Sequence, residues 1–305
     1  MLAPIKNFSA VGMLLYIAFA LRGRAYLPEG GALKASEAFA EAASRNGVEI
    51  RYGEKVRSIQ VEQGQVRGVV LENGTNVHAN KIISAADIRQ TFYKFIDPSL
   101  VPSDFRKKLE TTPLSDTFVI LSLVTTIDPA AYTFDKMDIF TTDTANINEA
   151  LTPDHPERSF ISIQFPEFHV EAGDPQLFGI QLVAPASFKY QGYWATGPEQ
   201  ARTEEYRKLK EDFAGRVIAR AEKLIPGLSR HIVSMDIATP MTMHRYTLND
   251  LGAAVGWSYR STQQWKQKVP FLRGLYLSGH WVGPSGIYNV AVSGKNAAEL
   301  VLRNG

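Results

Sequence analysis

Cysteine is absent from this 305-residue chain. That excludes disulfide staples, thiolate metal sites and a cysteine nucleophile, and it is compatible with a reducing compartment. Histidine is scarce: the six residues, at 78, 155, 169, 231, 244 and 280, form no i,i+4 pair, no HxH and no HExxH, so no metal site is expected. No GxSxG elbow is present, which removes the α/β-hydrolase nucleophile. Ser293-Gly294-Lys295 ends like a phosphate loop, but Asn289 stands where that loop needs its first glycine. Charge of one sign is lacking too. Lys and Arg number 33 against 31 Asp and Glu, a net of +2 that gives no footprint for nucleic acid.

Long apolar runs are also missing. The uncharged, mostly apolar run from Ala10 to Leu21 rises about 18 Å as a helix, short of the ~30 Å hydrocarbon core of a bilayer. Ala18-Phe19-Ala20 resembles a leader-peptide cleavage site, but Arg22 and Arg24 follow at once. Secretory leader, membrane-touching helix and internal helix therefore compete, and the expectation is an internal helix in a cytoplasmic protein with peripheral membrane contact open.

What is present reads as an ordinary globular chain of about two domains, 45% hydrophobic and 21% charged. The spacing predicts a helix over 33–46 closed by Gly47 and a short strand at 48–50. Extended pieces follow at 55–61, 66–71 and 75–77, joined by Gln63-Gly64 and Asn73-Gly74 turns. Ile82 to Ala85 reads as a buried strand, and Asp87 as the cap of a helix reaching Phe95. Runs at 117–126, 159–165 and 176–184 are β-rich. A long amphipathic helix is bounded by Pro198 and Pro226-Gly227, and a strand at 232–238 follows. This middle block reads as an α+β domain inserted into a first domain that resumes at Leu272.

The most informative segment is the last. Gly274-Leu275-Tyr276-Leu277-Ser278-Gly279-His280-Trp281 runs an apolar strand into a glycine-rich turn, and Gly286-Ile287 opens a helix. The first turn of that helix, Ile287 to Val290, has no acidic side chain, which suits a ligand that brings its own negative charge. A helix capped by Ser285 without any ligand is the plainer alternative. Pro28-Glu29-Gly30-Gly31 leads into another helix, either as a close backbone approach to a bulky ligand or as a plain turn. His280 could polarise a ligand oxygen or satisfy itself at a strand end. Trp257, Trp265 and Trp281 are residues that commonly sit in cores.

Taken in order, several segments resemble phytoene desaturase and the related carotenoid and retinoid FAD oxidoreductases of the amine-oxidase-like superfamily. They are Pro28-x-Gly30-Gly31, Gly47-Val48, Lys55-Val56-x-x-Ile59, Gly68-Val69, Gly74, Ile83-Ser84-Ala85-Ala86-Asp87, Thr239-Pro240-x-Thr242, Arg245-Tyr246-Thr247, Gly252-x-x-x-Gly256-Trp257 and the closing segment. The likeness covers nearly the whole chain and is loosest over 100–230. It implies an α/β plus α+β protein, with an incomplete Rossmann-like FAD domain of the glutathione-reductase type at 25–97 and 271–305. A mixed-sheet substrate domain at 98–270 is inserted, and the helix within 1–24 joins it. FAD is the cofactor implied. Val56 would hold its adenine end through the backbone, Gly30 and Gly31 would lie near the flavin, Gly279 and His280 would face the ribityl and diphosphate region, and Gly286 and Ile287 would offer N–H groups to the pyrimidine edge. His280 departs from the carboxylate common in the wider superfamily, and Ser285 from a common glycine. Tyr246, Trp257 and Trp281 are candidates for the substrate wall.

The resemblance further implies hydride transfer between flavin and an apolar polyene or isoprenoid, for which no acid–base pair or nucleophile is nominated. The GxGxxG turn of the family is not found in these residues, so the expectations are a truncated chain, a split enzyme completed by an N-terminal half, or a degenerate binding protein; a homo-oligomer stays open as partner. Two rival functions remain at this point: a non-catalytic carrier of apolar ligands and a flavin amine oxidase, for which Trp281 and Tyr288 are the nearby aromatic pair.

Overall fold

The computed structural model describes residues 31–132, 138–142, 146, 149, 152–166, 177–258, 261, 265–283 and 285–303. The expectations for residues 1–24 and for Gly30 lie outside the described residues. In chain order the main elements are α1 (Ala32–Arg45), β1 (Val56–Glu62), β2 (Gln65–Leu71), β3 (Asn76–His78), β4 (Ile82–Ser84), α2 (Ile88–Gln90) and α3 (Ser103–Thr111). Then come β5 (Phe118–Thr125), β6 (Asp138–Thr141), β7 (Ile161–Gln164), β8 (Phe178–Pro185), α4 (Glu204–Ala221) and β9 (Ile232–Ala238). The chain closes with α5 (Pro240–Thr247), β10 (Leu275–Leu277) and α6 (Ile287–Arg303). No described helix is long and apolar enough to cross a membrane.

Two compact units result: one includes 31–50 and 117–242, the other 51–116 and the chain from 243 onward. Residues 98–116 and 243–270, placed with the middle block on sequence, thus pack with 51–97 and the C-terminal segment. In the first unit α1 ends as the sequence indicates, with the Gly47 N–H on the Ser44 carbonyl and the Val48 N–H on that of Ala43. The predicted strand at 48–50 does not form; Val48 spends its N–H on the helix end and is exposed, so β-propensity there meets no partner strand.

The rest of that unit is an antiparallel sheet in the order β6-β7-β8-β5-β9. Alternation divides its two faces. Val119, Leu121 and Leu123 of β5, Ile180 and Leu182 of β8, and Ile161 and Ile163 of β7 are buried in a core shared with Phe213, Ala214, Val217 and Ala221 of α4. That helix begins at Glu204, where the Thr203 hydroxyl accepts the Tyr206 N–H at 2.9 Å. Pro198, placed near its start on sequence, sits six residues before it in a separate 3-10 turn over 198–200. A side-chain cap followed by Glu204 and Glu205 outweighs a proline as a start signal.

In the second unit β1, β2 and β3 form an antiparallel meander. Gln63 and Gly64, both at positive φ (49° and 71°), make the tight hairpin between the first two. β4 and β10 pair in parallel, Leu275 opposite Ile82 and Leu277 opposite Ser84. The Ile82 N–H reaches Gly274 and the Ser84 carbonyl receives Ser278, so both residues face β10. Ile83 therefore turns its N–H and C=O to the other edge, where no strand pairs with it among the described residues, and its side chain is 43% exposed. The opposite edge of β10 is covered by 267–269. Beyond β4, Asp87 caps α2 through the Arg89 N–H, and the helix continues as a π-helical turn to Phe95. Phe92, Leu109, Leu275, Leu277, Trp265 and Trp281 fill the core beneath.

Candidate functional site

The carboxyl ends of two parallel strands, each leading into a helix, are where an open α/β sheet presents backbone groups to a ligand. Here β10 delivers Ser278 and Gly279, and β4 delivers Ala85. Gly279 turns with φ 87°, and a Cβ there would lie 3.7 Å from the Ala85 carbonyl oxygen. α6 then opens, its first helical bond running from the Val290 N–H to the Gly286 carbonyl. The N–H groups of Ile287, Tyr288 and Asn289 precede that bond. No acidic side chain sits in this turn, and Ile287 and Tyr288 are 59% and 75% exposed. The N-terminal end of α6 thus offers a positive dipole end open on its outer side.

Behind the turn is a polar bridge that the sequence did not disclose. The Ser293 hydroxyl accepts the Gly279 N–H at 3.1 Å, and Gln267 donates through Nε2 to the Ser293 carbonyl at 2.8 Å and to the Leu277 carbonyl at 3.2 Å. Ser293 ties the strand end to the helix. The Gly279 N–H is consequently already bonded, and what this glycine offers a ligand is space.

His280 sits beside it with Nε2 buried and without a hydrogen-bond partner. Burial lowers its pKa below the ordinary 6.5, so the imidazole is neutral. Of its two earlier readings, the self-satisfied strand-end histidine does not hold. Its Cδ2 abuts Gly256, which has φ 81°; a Cβ there would stand 2.7 Å from that carbon, so only glycine fits. Trp257 follows, donating its indole N–H to the Trp281 carbonyl at 3.0 Å and stacking on Trp265 with centroids 5.1 Å apart. Trp281 is 1% exposed and belongs to the core.

Arg89 ties this region together. It donates to the Leu109 and Thr112 carbonyls at the end of α3, pairs with Asp250 at 2.8 Å and lies 5.4 Å over the Trp257 ring. Asp87 accepts the Arg89 and Asp250 backbone N–H groups, and burial raises its pKa. These partners are separated by up to 163 residues, and no local pattern announces them. Among the other predicted positions, Gly286 (φ 105°) and Ile287 open α6, whereas Val56 opens β1 opposite Leu71. Gly31 heads α1 in the other unit, and Tyr246 is 77% exposed on α5. The structure therefore brings Gly279, His280, Gly286, Ile287, Trp257 and Trp281 into one neighbourhood of the chain. Among the described residues no cluster of His, Asp and Glu could hold a metal.

A model of the family "Flavin containing amine oxidoreductase" matches residues 9–126. A chloroplastic prolycopene isomerase of Daucus carota is 28% identical over 283 residues, covering 90% of this chain and 43% of that protein. A 4,4'-diaponeurosporene oxygenase of Staphylococcus aureus is 26% identical, over 90% of this chain and 54% of its own length. The chain is similar to carotenoid-type flavin oxidoreductases of the amine-oxidase superfamily. It spans about half the length of the curated relatives it matches. The same fold is seen in an oxidoreductase from Methanosarcina mazei, at a TM-score of 0.55 and 16% identity over 88% of this chain and 54% of that one. The mixed fold of helices and sheets is thus shared with that solved structure. For a flavin the fit of the residues present rests on the acid-free helix end, the orphaned His280 nitrogen and the space at Gly279.

Proposed function

We propose that this chain carries the substrate sheet and the flavin-ring side of an FAD-dependent oxidoreductase that moves hydride between the cofactor and an apolar isoprenoid or polyene. The observation carrying this reading is the meeting of an acid-free helix end and an unpartnered, buried imidazole at the carboxyl ends of β4 and β10. When bound, the flavin would supply the hydride acceptor for an allylic C–H, chemistry that needs no nucleophile from the protein. The chain's own residues then bind and orient. The N–H groups of Ile287 and Tyr288 would hold the charged side of the flavin, and neutral His280 would hydrogen-bond it through Nε2. Gly256 and the Trp257–Trp281 contact hold that imidazole in place. Val56 completes the contact set of this unit in this reading, and Tyr246 and Trp257 are its substrate-side residues.

Within the same proposal, 51–116 and the C-terminal segment form part of a Rossmann-like FAD domain whose diphosphate-binding strand–turn–helix comes from outside these residues, in one chain or as a separate half. The unpaired edge at Ile83 is where a further parallel strand would add. The test supplies a strand–GxGxxG–helix half from a relative to the purified chain with FAD. Quenching of flavin fluorescence and a structured visible band, both weakened in Gly286→Val and His280→Phe, are expected. Colourless protein with that half present and bound would refute the flavin assignment.

A further inference from the structure

We infer that Arg89 is a positioning residue of the candidate site: it clamps two chain segments together so that Gly256 stays seated against His280. Its bearing on the flavin rests on the reading above; the clamp itself does not. The Arg89 side chain is only 14% exposed and spends its donors on both segments. On one, at the end of α3, it reaches the Leu109 carbonyl at 2.8 Å and the Thr112 carbonyl at 2.9 Å; on the other it reaches the Asp250 carboxylate at 2.8 Å. A planar guanidinium fork fixes such partners in direction as well as distance, which a lysine ammonium cannot do. The two segments then run on to meet at Gly256. The Ser115 N–H donates to the Gly256 carbonyl at 2.9 Å, the Val255 N–H to the Ser115 hydroxyl at 3.0 Å and the Ser258 N–H to the Pro113 carbonyl at 2.9 Å, with Leu114 bridged to Trp257. Beside this ladder the guanidinium lies 5.4 Å from the Trp257 ring centre. Arg89, 112–116 and 250–258 therefore close a ring of contacts.

The Asp250 side of that ring is strained. Leu248 and Leu251 sit at φ 58° and 48°, a left-handed conformation that is costly for leucine and persists only where its surroundings over-determine it. Four contacts do so here. Asp87 accepts the Asp250 backbone N–H, and Arg89 grips the Asp250 side chain. His244 donates from Nδ1 to the Asn249 carbonyl at 2.7 Å, and Asn249 donates from Nδ2 to the Ala253 carbonyl at 2.8 Å. Release of the Arg89 contact lets both leucines relax and draws 253–256 after them. Gly256 cannot follow without consequence. A Cβ there would stand 2.7 Å from the His280 ring and 3.2 Å from the His280 carbonyl oxygen, so its backbone is packed directly on that residue. Moving it uncovers the buried Nε2 and turns the ring that has to meet the flavin. Arg89 lies outside that contact and acts on His280 through Gly256 and Trp257.

The test reads His280 without any cofactor. Ring NMR of the whole 305-residue protein follows the six histidines through pH, with His280→Asn removing the signal that belongs to His280. Burial holds the wild-type His280 pKa below 6.5. Arg89→Gln is expected to move it up toward 6.5, and Arg89→Lys to restore only part of the difference. Asp250→Asn keeps the backbone N–H that Asp87 accepts and weakens the Arg89 pair alone, so it reports the same shift, smaller, should Arg89→Gln fail to fold. A lowered urea midpoint with the His280 titration unmoved in every variant overturns the inference, since that is what a merely structural arginine would give. With a flavin-binding half supplied, Arg89→Gln should weaken FAD binding about tenfold, the worth of the one hydrogen bond at Nε2. A shifted His280 with unchanged FAD affinity overturns the role toward the flavin. Wild-type protein that takes up no flavin refutes the flavin reading, and the cofactor-free titration still decides the clamp.

Discussion

At the scale of single residues, His280 and Gly256 form a pair that can be interrogated without any cofactor. His280 titrates below 6.5 in the folded chain because burial disfavours its charge. A group with a depressed folded pKa of this kind contributes stability above the unfolded value. That stability is lost as pH falls from about 6.5 toward the folded pKa, where the unfolded chain takes up the proton first. Urea unfolding at pH 7.5 and pH 5 should show this acid loss in the wild type and a smaller one in His280→Asn; identical slopes would mean the imidazole is not buried. Gly256→Ala adds a Cβ 2.7 Å from the His280 ring carbon at φ 81°. It should cost at least about 2 kcal/mol in chemical denaturation, from left-handed strain and the collision together.

At the scale of elements, the junction of β10 with α6 depends on Ser293. Ser293→Ala leaves the Gly279 N–H and one Gln267 contact unmet and should cost about 1–3 kcal/mol. A double-mutant cycle with Gln267→Leu should show coupling, since both act on the same strand end. The meander, the strand at 82–84 and the strand–turn–helix at the C-terminus were legible because turn glycines and apolar runs signal locally, but the burial expected of the 82–84 strand was not met at Ile83, which is 43% exposed on an edge. The glycine turn and helix start of the candidate site were legible for the same reason. Ser293, Gln267 and Arg89 were not: a serine bonding 14 residues back and an arginine reaching Asp250 across 161 residues leave no local trace. The strand expected at 48–50 failed for the converse reason, a good local sequence with no partner beside it. The helix expected near Pro198 forms, and its exact start is set by the Thr203 cap.

At the scale of the whole molecule, the edge of β4 at Ile83 has no strand beside it among the described residues. A parallel pair is ordinarily flanked on both edges and covered on both faces. Ile83, on that edge, invites association with other chains. Ile83→Lys should therefore lower the apparent mass of concentrated samples in light scattering, and an unchanged mass would show the edge to be inert. The stack of Trp257 on Trp265, with planes only 11° apart, has an optical consequence. Two indoles so placed couple their transitions, giving a bisignate near-ultraviolet dichroism band. Because the Trp257 indole also holds the Trp281 carbonyl beside the glycine turn, that band becomes a built-in gauge of whether the turn keeps its shape, readable in the dark, colourless protein before any turnover is attempted.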